Sequence, residues 1–258
     1  MTETRPAISL ILPAFNEAGT IARTVREAIA YFRGRGLTYE IIVAADGNDG
    51  TREICRDLAA ADSAILVIGE NARRGKGRGI REAVAIATGE IIGFADADNK
   101  VPIEEYGKLE PYLAEYPMVI GSRAIARELI EKKQPLYRQI GSIGFGFFMR
   151  AVVGLPGIPD TQCGFKFFRG PVARDLFSLQ RVDGYMFDVE ILYIACKRGY
   201  AIKQVPVRWR DDADSRLELV AGNLRNVRDI FRIRLATGDI EPAPGLLREA
   251  HAEFRAVK

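Results

Sequence analysis

The segment Ile91-Ile-Gly-Phe-Ala-Asp-Ala-Asp-Asn99 joins a strand-like run directly to an acidic turn, and our prediction of the fold starts from it. Its first five residues are apolar or glycine, which is typical of a short buried strand. Asp96 and Asp98 follow at once, and two carboxylates this close cannot both be buried without a partner. An exposed acidic turn would also explain the pair, so the rest of the sequence has to decide.

Short apolar runs alternate with helical patterns through the first half of the chain. In chain order they predict strands at 8–12, 40–45, 64–68, 91–95 and 118–121, with helices at 21–32, 51–61, 78–88 and 102–116. This alternation is typical of an α/β protein with a mostly parallel, doubly wound sheet. Ligands bind such sheets at the carboxyl ends of the strands, where Pro13, Asp46 and Asp96 fall.

The second half of the chain is less regular, and its segment 137–157 is rich in Gly and Phe. It predicts strands at 165–168 and 201–209, helices at 171–179 and 189–197, and a long C-terminal amphipathic helix at 217–236. Pro206 makes the second of these strands an edge or bulged strand. We expect one domain over 1–236 and a polar tail at 237–258.

Composition narrows the classes of function. With 37 Lys+Arg and 34 Asp+Glu, the net charge of +3 is too balanced to predict nucleic-acid binding. The one histidine, His251, lies in the polar tail, which argues against histidine catalysis. Cys55, Cys163 and Cys196 are scattered, as free thiols of a reducing compartment would be. No apolar run reaches the ~18 residues of a spanning helix, so we expect a cytoplasmic protein, soluble or peripheral.

The acidic pair is the chemical centre of the prediction. Mg²⁺ and Mn²⁺ prefer oxygen ligands, and Mg²⁺ often takes one or two carboxylates while water and phosphate oxygens complete its shell. Asp96 and Asp98 are therefore candidate metal ligands. A metal held between them would act as a Lewis acid toward a departing diphosphate.

Two other predicted strand ends carry side chains suited to a nucleotide. Phe15 is placed to meet a base, Glu17 a ribose or a base edge, and Asp46 could accept a hydrogen bond from a base N–H. The alternative at both positions is a plain turn, with Asn16 capping the helix that follows.

Basic residues after the strands suit phosphate groups. Lys76 lies in the Gly-rich run 73–79, just before a predicted helix, where backbone N–H groups and its ammonium can contact a diphosphate. Arg123, Arg210 and Arg216 carry guanidiniums, which bind phosphate through paired hydrogen bonds. Taken singly, Lys76 is equally explained by a solvated basic loop, and each of the arginines is more often part of a surface salt bridge.

Several segments together resemble the family-2 glycosyltransferases of the GT-A fold. In chain order they are Pro13-Ala-Phe-Asn-Glu17, Asp46-Gly-Asn-Asp-Gly-Thr51, Asn71-Ala-Arg-Arg-Gly-Lys76-Gly, Asp96-Ala-Asp98-Asn and Gly121-Ser-Arg123. The later segment Asp160-Thr-Gln-Cys-Gly-Phe-Lys166 is similar to the dolichyl- or polyprenyl-phosphate sugar transferases, especially their glucosyl branch. The resemblance covers residues 8–235. It implies a Rossmann-like GT-A domain with a nucleotide-sugar donor, for which UDP-glucose is our leading candidate.

The resemblance also implies a role for each matching residue. The nucleotide-sugar pocket would contain Pro13, Phe15, Glu17, Ala44 and Asp46; the metal and diphosphate would meet Asp96, Ala97 and Asp98; phosphate would meet Arg123, Arg210 and Arg216. The sequence departs from the family pattern at Lys100, where mannosyl relatives commonly carry a metal-binding Gln. We therefore expect the protein to supply few metal ligands.

A lipid monophosphate is the acceptor that this resemblance implies, with inversion at the sugar carbon. Such a phosphate is largely ionised at pH 7, since its second pKa is about 6, so it needs no general base, unlike a hydroxyl acceptor. We predict that Arg138 and Arg123 contact the acceptor phosphate and, with Asp98, carry the catalysis. Asp160, Asp188 and Glu190 are the other acceptor-side candidates, and Asp188 or Glu190 would be the base for a hydroxyl acceptor.

A lipid acceptor also needs a membrane-facing surface. The helix at 217–236 has apolar side chains at helical spacing, including Phe231 and Leu235, with arginines beside them. This pattern favours a peripheral contact with the cytoplasmic face of a membrane, although packing against the domain core is the alternative. A second candidate surface consists of Phe145, Phe147, Phe148 and Met149.

Two other functions stay open on the sequence. One is a soluble transferase of the same family that uses a small phosphorylated or hydroxyl acceptor. The other is a non-catalytic module that binds a nucleotide-sugar, against which the intact Asp96 and Asp98 pair argues. The oligomeric state is not predicted.

Overall fold

A computed structural model describes residues 5–125, 154–155, 157–210, 221–236 and 240–243. Within these residues, seven strands form a single sheet. They are β1 (Ile8–Phe15), β2 (Tyr39–Asp46), β3 (Ile65–Ile68), β4 (Ile91–Ala95), β5 (Met118–Ser122), β6 (Phe165–Arg169) and β7 (Ile202–Pro206). The predicted α/β fold with a mostly parallel sheet is confirmed.

The strand order β3-β2-β1-β4-β6-β5-β7 places the ends of β1, β2 and β4 side by side. These strands run parallel, as do β2 with β3 and β5 with β7, so their carboxyl ends share one edge. β6 runs antiparallel between β4 and β5. The start of β6 therefore lies beside the end of β4, which brings the loop before Phe165 to the edge where Asp96 follows Ala95.

Helices cover both faces of this sheet. They are α1 (Ile21–Gly34), α2 (Thr51–Ala61), α3 (Lys76–Ile86), α4 (Tyr106–Leu109), α5 (Gly170–Leu179), α6 (Phe187–Arg198) and α7 (Ala221–Ala236). Strand residues alternate between the faces, and two apolar cores result: Ile11, Ile42 and Phe94 belong to one, and Leu10 and Val43 to the other.

Two predicted elements are wrong in extent. The helix predicted at 102–116 is only the short α4, flanked by 3₁₀ turns at Ile103–Glu105 and Glu110–Ala114. Pro111 lies in the second turn, and a proline inside a helix removes a hydrogen bond and clashes with the preceding turn. The strand predicted at 201–209 ends at Pro206, because the backbone N–H and guanidinium of Arg208 bind the buried Glu105 carboxylate instead.

Parts of the predictions fall outside the described residues. Arg138, Arg216, the first residues of the 217–236 helix and the Phe-rich surface at 145–149 lie there, and so does most of the 237–258 tail. The proposed roles of these residues, and the boundary of the domain at residue 236, stay predictions.

Candidate active site

The acidic pair lies at the end of β4, and each of its carboxylates is bound by a lysine. Asp96 Oδ1 accepts a hydrogen bond from Lys76 Nζ at 2.6 Å, and Lys76 is the first residue of α3. Asp98 Oδ2 lies 3.2 Å from Lys100 Nζ, and its Oδ1 also accepts from the Lys100 backbone N–H. Burial alone would lower the pKa of Lys76, but the carboxylates of Asp96 and Asp188 raise it, so Lys76 stays charged.

The turn that carries the pair is fixed against α1. The carbonyl of Ala97, which is buried, accepts from Thr24 Oγ1 at 2.8 Å. The Asn99 amide donates to the Glu27 carboxylate, and Asn99 adopts a left-handed backbone with φ of 58°. Asparagine tolerates this conformation better than most residues. These contacts hold the turn in one shape and leave Asp96 and Asp98 partly exposed.

Gly164 lets Asp96 lie against the start of β6. The Asp96 backbone N–H donates to the Gly164 carbonyl at 3.1 Å, and a methyl group at Gly164 would overlap the Asp96 carboxylate. We expect Gly164→Ala to displace this carboxylate and lower transferase activity at least tenfold, with a much smaller effect on the unfolding temperature. Steady-state rates and thermal unfolding check this. Gly19→Ala is the control, because no atom lies within 4 Å of the position of a methyl group at Gly19, and we expect this variant to retain full activity. Gly50→Ala would not serve, because Gly50 has a positive φ that an alanine would strain.

Asp46, at the end of β2, holds the loop that carries Lys76. Its Oδ2 accepts from the Arg74 backbone N–H at 2.9 Å and its Oδ1 from the Glu70 N–H at 3.3 Å. Arg74 in turn pairs with Glu82 of α3 at 2.8 Å. This anchoring role was not predicted, because it joins two loops that are distant in sequence. The predicted contact of Asp46 with a base stays a prediction.

The predicted nucleotide-pocket residues lie together at the ends of β1 and β2. Pro13 pairs in register with Ala44, and the Arg73 guanidinium lies 4.5 Å from the centre of the Phe15 ring. The Glu17 carboxylate accepts from Thr20 Oγ1 at 2.9 Å, at the start of α1. An arginine over an aromatic ring forms a flat, cationic surface, which suits a base and its phosphates.

Arg123 follows β5 and is held by Asp160. Its Nε and Nη2 donate to the two Asp160 oxygens at 2.8 and 2.7 Å, and its backbone N–H also donates to Asp160. Burial alone would raise the pKa of Asp160, but the Arg123 guanidinium outweighs it and holds this pKa below the usual range. The guanidinium also lies 5.6 Å from the Trp209 ring. Arg123 is therefore rigidly placed, and Asp160, predicted on the acceptor side, is its anchor.

A buried ion pair between Lys166 and Asp188 lies next to the site. The sequence analysis did not single out its lysine. Lys166 in β6 is 0% exposed, and its Nζ donates to Asp188 Oδ1 at 2.5 Å and to the Cys163 carbonyl at 2.7 Å. Burial raises the pKa of Asp188, while Lys166 and Lys76 oppose this rise. The sequence did contain a sign of this pair, namely a lysine inside the mostly apolar strand Phe165–Arg169. In a strand that is buried on both faces a lysine cannot reach solvent, so it needs a buried partner.

Glu190 and Arg210 are the remaining candidate residues that the structure describes, and Cys163 lies close to the site. Both Glu190 oxygens accept backbone N–H groups, from Arg181 at 3.0 Å and from Val182 at 2.8 Å, and the residue is 1% exposed. These contacts make Glu190 a support of the turn at Arg181 and Val182, and its predicted role on the acceptor side stays a prediction. Arg210 is exposed, and its backbone N–H binds the Lys100 carbonyl at 3.0 Å, beside the acidic turn. Burial raises the pKa of the Cys163 thiol to about 12, so it stays neutral.

The acidic pair suits a metal ion whose remaining ligands come from a bound diphosphate and water. Among the described side chains, Asp, Glu, His and Cys form no group of three or more that could hold a metal ion. Asp96 and Asp98 supply two carboxylates at one turn, which is the share that a protein commonly gives to Mg²⁺ beside a phosphate substrate. The donor set therefore suits a metal–diphosphate complex better than an isolated ion.

A comparison with known protein families identifies the chain. The sequence model described as Glycosyl transferase family 2 matches residues 9–177, which includes the Asp96 and Asp98 turn. The chain belongs to this family. It is therefore a glycosyltransferase, as the sequence motifs predicted.

Curated relatives of this family 2 glycosyltransferase are named dolichyl-phosphate beta-glucosyltransferases. One from Trichomonas vaginalis is 32% identical, over 88% of this chain and 70% of the relative. One from Drosophila melanogaster is 33% identical, over 88% and 74% of the two chains. The human protein is 31% identical, over 88% and 75%. The predicted resemblance to the glucosyl branch is confirmed.

Solved structures share the fold of this family 2 glycosyltransferase. Glucosyl-3-phosphoglycerate synthase of Mycobacterium tuberculosis matches with a TM-score of 0.64 at 22% identity, covering 89% of this chain and 80% of that one. A complex of that enzyme with Mn²⁺, UDP and phosphoglyceric acid matches with a TM-score of 0.61 at 22% identity, covering 93% and 81%. At these identities the likeness establishes the GT-A fold and no more. Among the described residues, no helix combines the length and apolar character that crossing a bilayer requires.

Proposed function

We propose that this enzyme transfers a hexose, glucose, from UDP-glucose to a polyprenyl or dolichyl monophosphate, with inversion at the sugar carbon. The observation that carries the proposal is the acidic turn after β4, which shares one edge of the sheet with Phe15 at the end of β1 and with Arg123 after β5. The names of the curated relatives support both the sugar and the lipid phosphate.

The donor end of the site is suited to a nucleoside diphosphate. Asp96 and Asp98 would hold Mg²⁺ or Mn²⁺, which when bound supplies Lewis-acid stabilisation to the departing diphosphate. Lys76 stands at the same turn with a charged ammonium 2.6 Å from Asp96, so it adds positive charge where the diphosphate would lie. Phe15 and Arg73 offer the flat surface for the base.

The acceptor end is suited to a phosphate rather than a hydroxyl. A hydroxyl acceptor needs a free base, but Asp188 is 3% exposed and paired with Lys166, and both Glu190 oxygens are occupied by backbone N–H groups. A phosphate monoester is already ionised and needs only orientation and positive charge. We assign this orienting role to Arg123, whose guanidinium Asp160 holds in place, and we assign the same role to Arg138.

Transfer is tested directly with a donor and acceptor panel. Purified enzyme is incubated with radiolabelled UDP-glucose or GDP-mannose, with Mg²⁺, Mn²⁺ or EDTA, and with polyprenyl phosphate or 3-phosphoglycerate. We expect label in the lipid fraction only with UDP-glucose, the lipid phosphate and a metal. Transfer to 3-phosphoglycerate with none to the lipid would overturn the acceptor in favour of a small phosphorylated acid.

The helix α7 offers a surface for the membrane that holds the acceptor. Ile230 and Ile233 are buried on one side of α7 and pack against the domain core. On the other side Phe231 is 50% exposed and Leu235 is 81% exposed. Arg228 and Arg232, both exposed, lie one turn from them and line the same open depression. Exposed apolar and basic side chains on one helix face suit anionic lipid, and we assign this face to the cytoplasmic side of a membrane.

We expect the double variant Phe231→Glu, Leu235→Glu to lose most binding to anionic vesicles. Burying two such side chains is worth roughly 1.5–3 kcal/mol each, and the substitutions also add charge of the same sign as the lipid. Flotation with phosphatidylglycerol vesicles measures the bound fraction. Ile86→Glu is the control, because Ile86 on α3 is 44% exposed, close to the value for Phe231, and its substitution should leave binding unchanged. Equal flotation of all three proteins would contradict the assignment.

A further inference from the structure

Both aspartates of the acidic turn form ion pairs with lysines of the same chain. Lys76 reaches Asp96 from the start of α3, and Lys100 reaches Asp98 from within the turn. The lysine side chains are only 17% and 18% exposed, so these are not loose surface pairs. The pairing leaves two negative and two positive charges at the turn, which is neutral without any metal.

A divalent cation has to compete with these lysines for the same oxygens. One oxygen of each carboxylate already lies against an ammonium group: Asp96 Oδ1 accepts a hydrogen bond from Lys76, and Asp98 Oδ2 forms an ion pair with Lys100. Adding a metal to the paired turn would also leave two excess positive charges in a half-buried place, which is unfavourable where the dielectric constant is low. A diphosphate brings the missing negative charge together with oxygens for the metal.

The Lys76 ammonium has a second favourable contact besides Asp96. It lies 5.7 Å from the centre of the Phe187 ring, at the start of α6. The face of an aromatic ring attracts a cation, so Lys76 is held at the turn by more than one group.

We propose that Lys76 and Lys100 are internal counter-cations that keep the acidic turn closed to metal until the donor diphosphate arrives. Metal and nucleotide then bind as one complex, and the free enzyme holds little metal. This inference rests on the proposed metal-dependent use of a nucleotide-sugar. It assigns the two lysines a task in the free enzyme in addition to any contact they make with the donor.

The test measures Mn²⁺ affinity, not turnover. Electron paramagnetic resonance reports the free Mn²⁺ concentration in titrations of full-length protein with and without UDP. For the wild type we expect weak binding alone and binding at least tenfold tighter with UDP. Lys76→Met and Lys100→Met should each bind Mn²⁺ alone about tenfold more tightly than the wild type, because a competing charge is gone. UDP should then tighten binding by a smaller factor.

Two substitutions control for charge and position. Lys76→Arg keeps a cation at Asp96 and should bind Mn²⁺ alone as weakly as the wild type. Lys197→Met removes the same charge at the end of α6, where the ammonium lies over the Tyr193 ring, and should leave affinity unchanged. Thermal unfolding shows whether each variant is folded. If Lys76→Met is not folded, Lys100→Met still tests the counter-cation role.

The two proposals fail in distinguishable ways. Suppose UDP tightens Mn²⁺ binding in the wild type, but neither methionine variant binds Mn²⁺ alone more tightly. The counter-cation role is then wrong, and the metal-dependent transferase stands. If the wild type binds no Mn²⁺ even with UDP, the metal–diphosphate site itself is wrong and both proposals fall.

Discussion

Asp98→Ala is expected to reduce hexose transfer by about 10³-fold or more, since it removes a ligand of the ion that would stabilise the departing diphosphate. The side chain is 31% exposed and its described contacts are to Lys100 alone. Its loss therefore leaves no deeply buried group without a partner, and the fold should survive. Initial rates with radiolabelled UDP-glucose and polyprenyl phosphate measure the effect, and thermal unfolding confirms the fold.

The matched control for this variant is an ion-paired carboxylate away from the turn. Glu110 lies 2.7 Å from Arg35 with 28% of its side chain exposed, so Glu110→Ala removes a comparable pair. We expect that control to keep its rate within about twofold, as surface pairs contribute little. Near-normal turnover by folded Asp98→Ala would refute the role of the acidic turn in catalysis.

Lys166→Met should be the most destabilising single change at the site, at about 3–5 kcal/mol of unfolding free energy. Lys166 and Asp188 are 0% and 3% exposed, so removing the lysine leaves a carboxylate buried without its counter-charge. The Cys163 carbonyl also loses its donor. Urea denaturation at neutral pH gives the free energy from the midpoint and slope.

A double variant separates loss of the pair from loss of packing. In Lys166→Met with Asp188→Leu no buried charge remains, so most of the lost stability should return. A stability loss below about 1 kcal/mol for Lys166→Met alone would contradict the structural role of this ion pair.

Sequence patterns located most strands because their apolar runs are local features. The runs ending at Pro13, Asp46 and Asp96 predicted both the sheet and the edge that carries the site. Helix 102–116 was overestimated because its spacing suited a helix, whereas Pro111 and the tertiary contacts of Glu105 favour short turns. The antiparallel direction of β6 could not be predicted from the sequence, because an apolar run indicates a strand but neither its direction nor the strands with which it pairs.

The partners of the charged residues could not be predicted for the same reason. Lys76 and Asp96 are joined across a helix and a strand, and Lys166 and Asp188 across a helix. Motif spacing identified Asp96 as a candidate but said nothing of its counter-ion. Asp160 was assigned to the acceptor from its place in a motif, while its paired hydrogen bonds with Arg123 depend on the folded chain.

The antiparallel insertion of β6 determines the order in which the site can be assembled during synthesis. The ribosome delivers β1 to β4, with Lys76, Asp96 and Asp98, well before the strand that follows Gly164. The pairing of β4 with β6 joins segments about 75 residues apart, and such long-range pairings form slowly. A nascent chain that ends before residue 165 therefore carries the acidic turn without the strand and the buried lysine beneath it. Truncation before β6 should yield a chain that exposes the edge of β4 and associates with other chains.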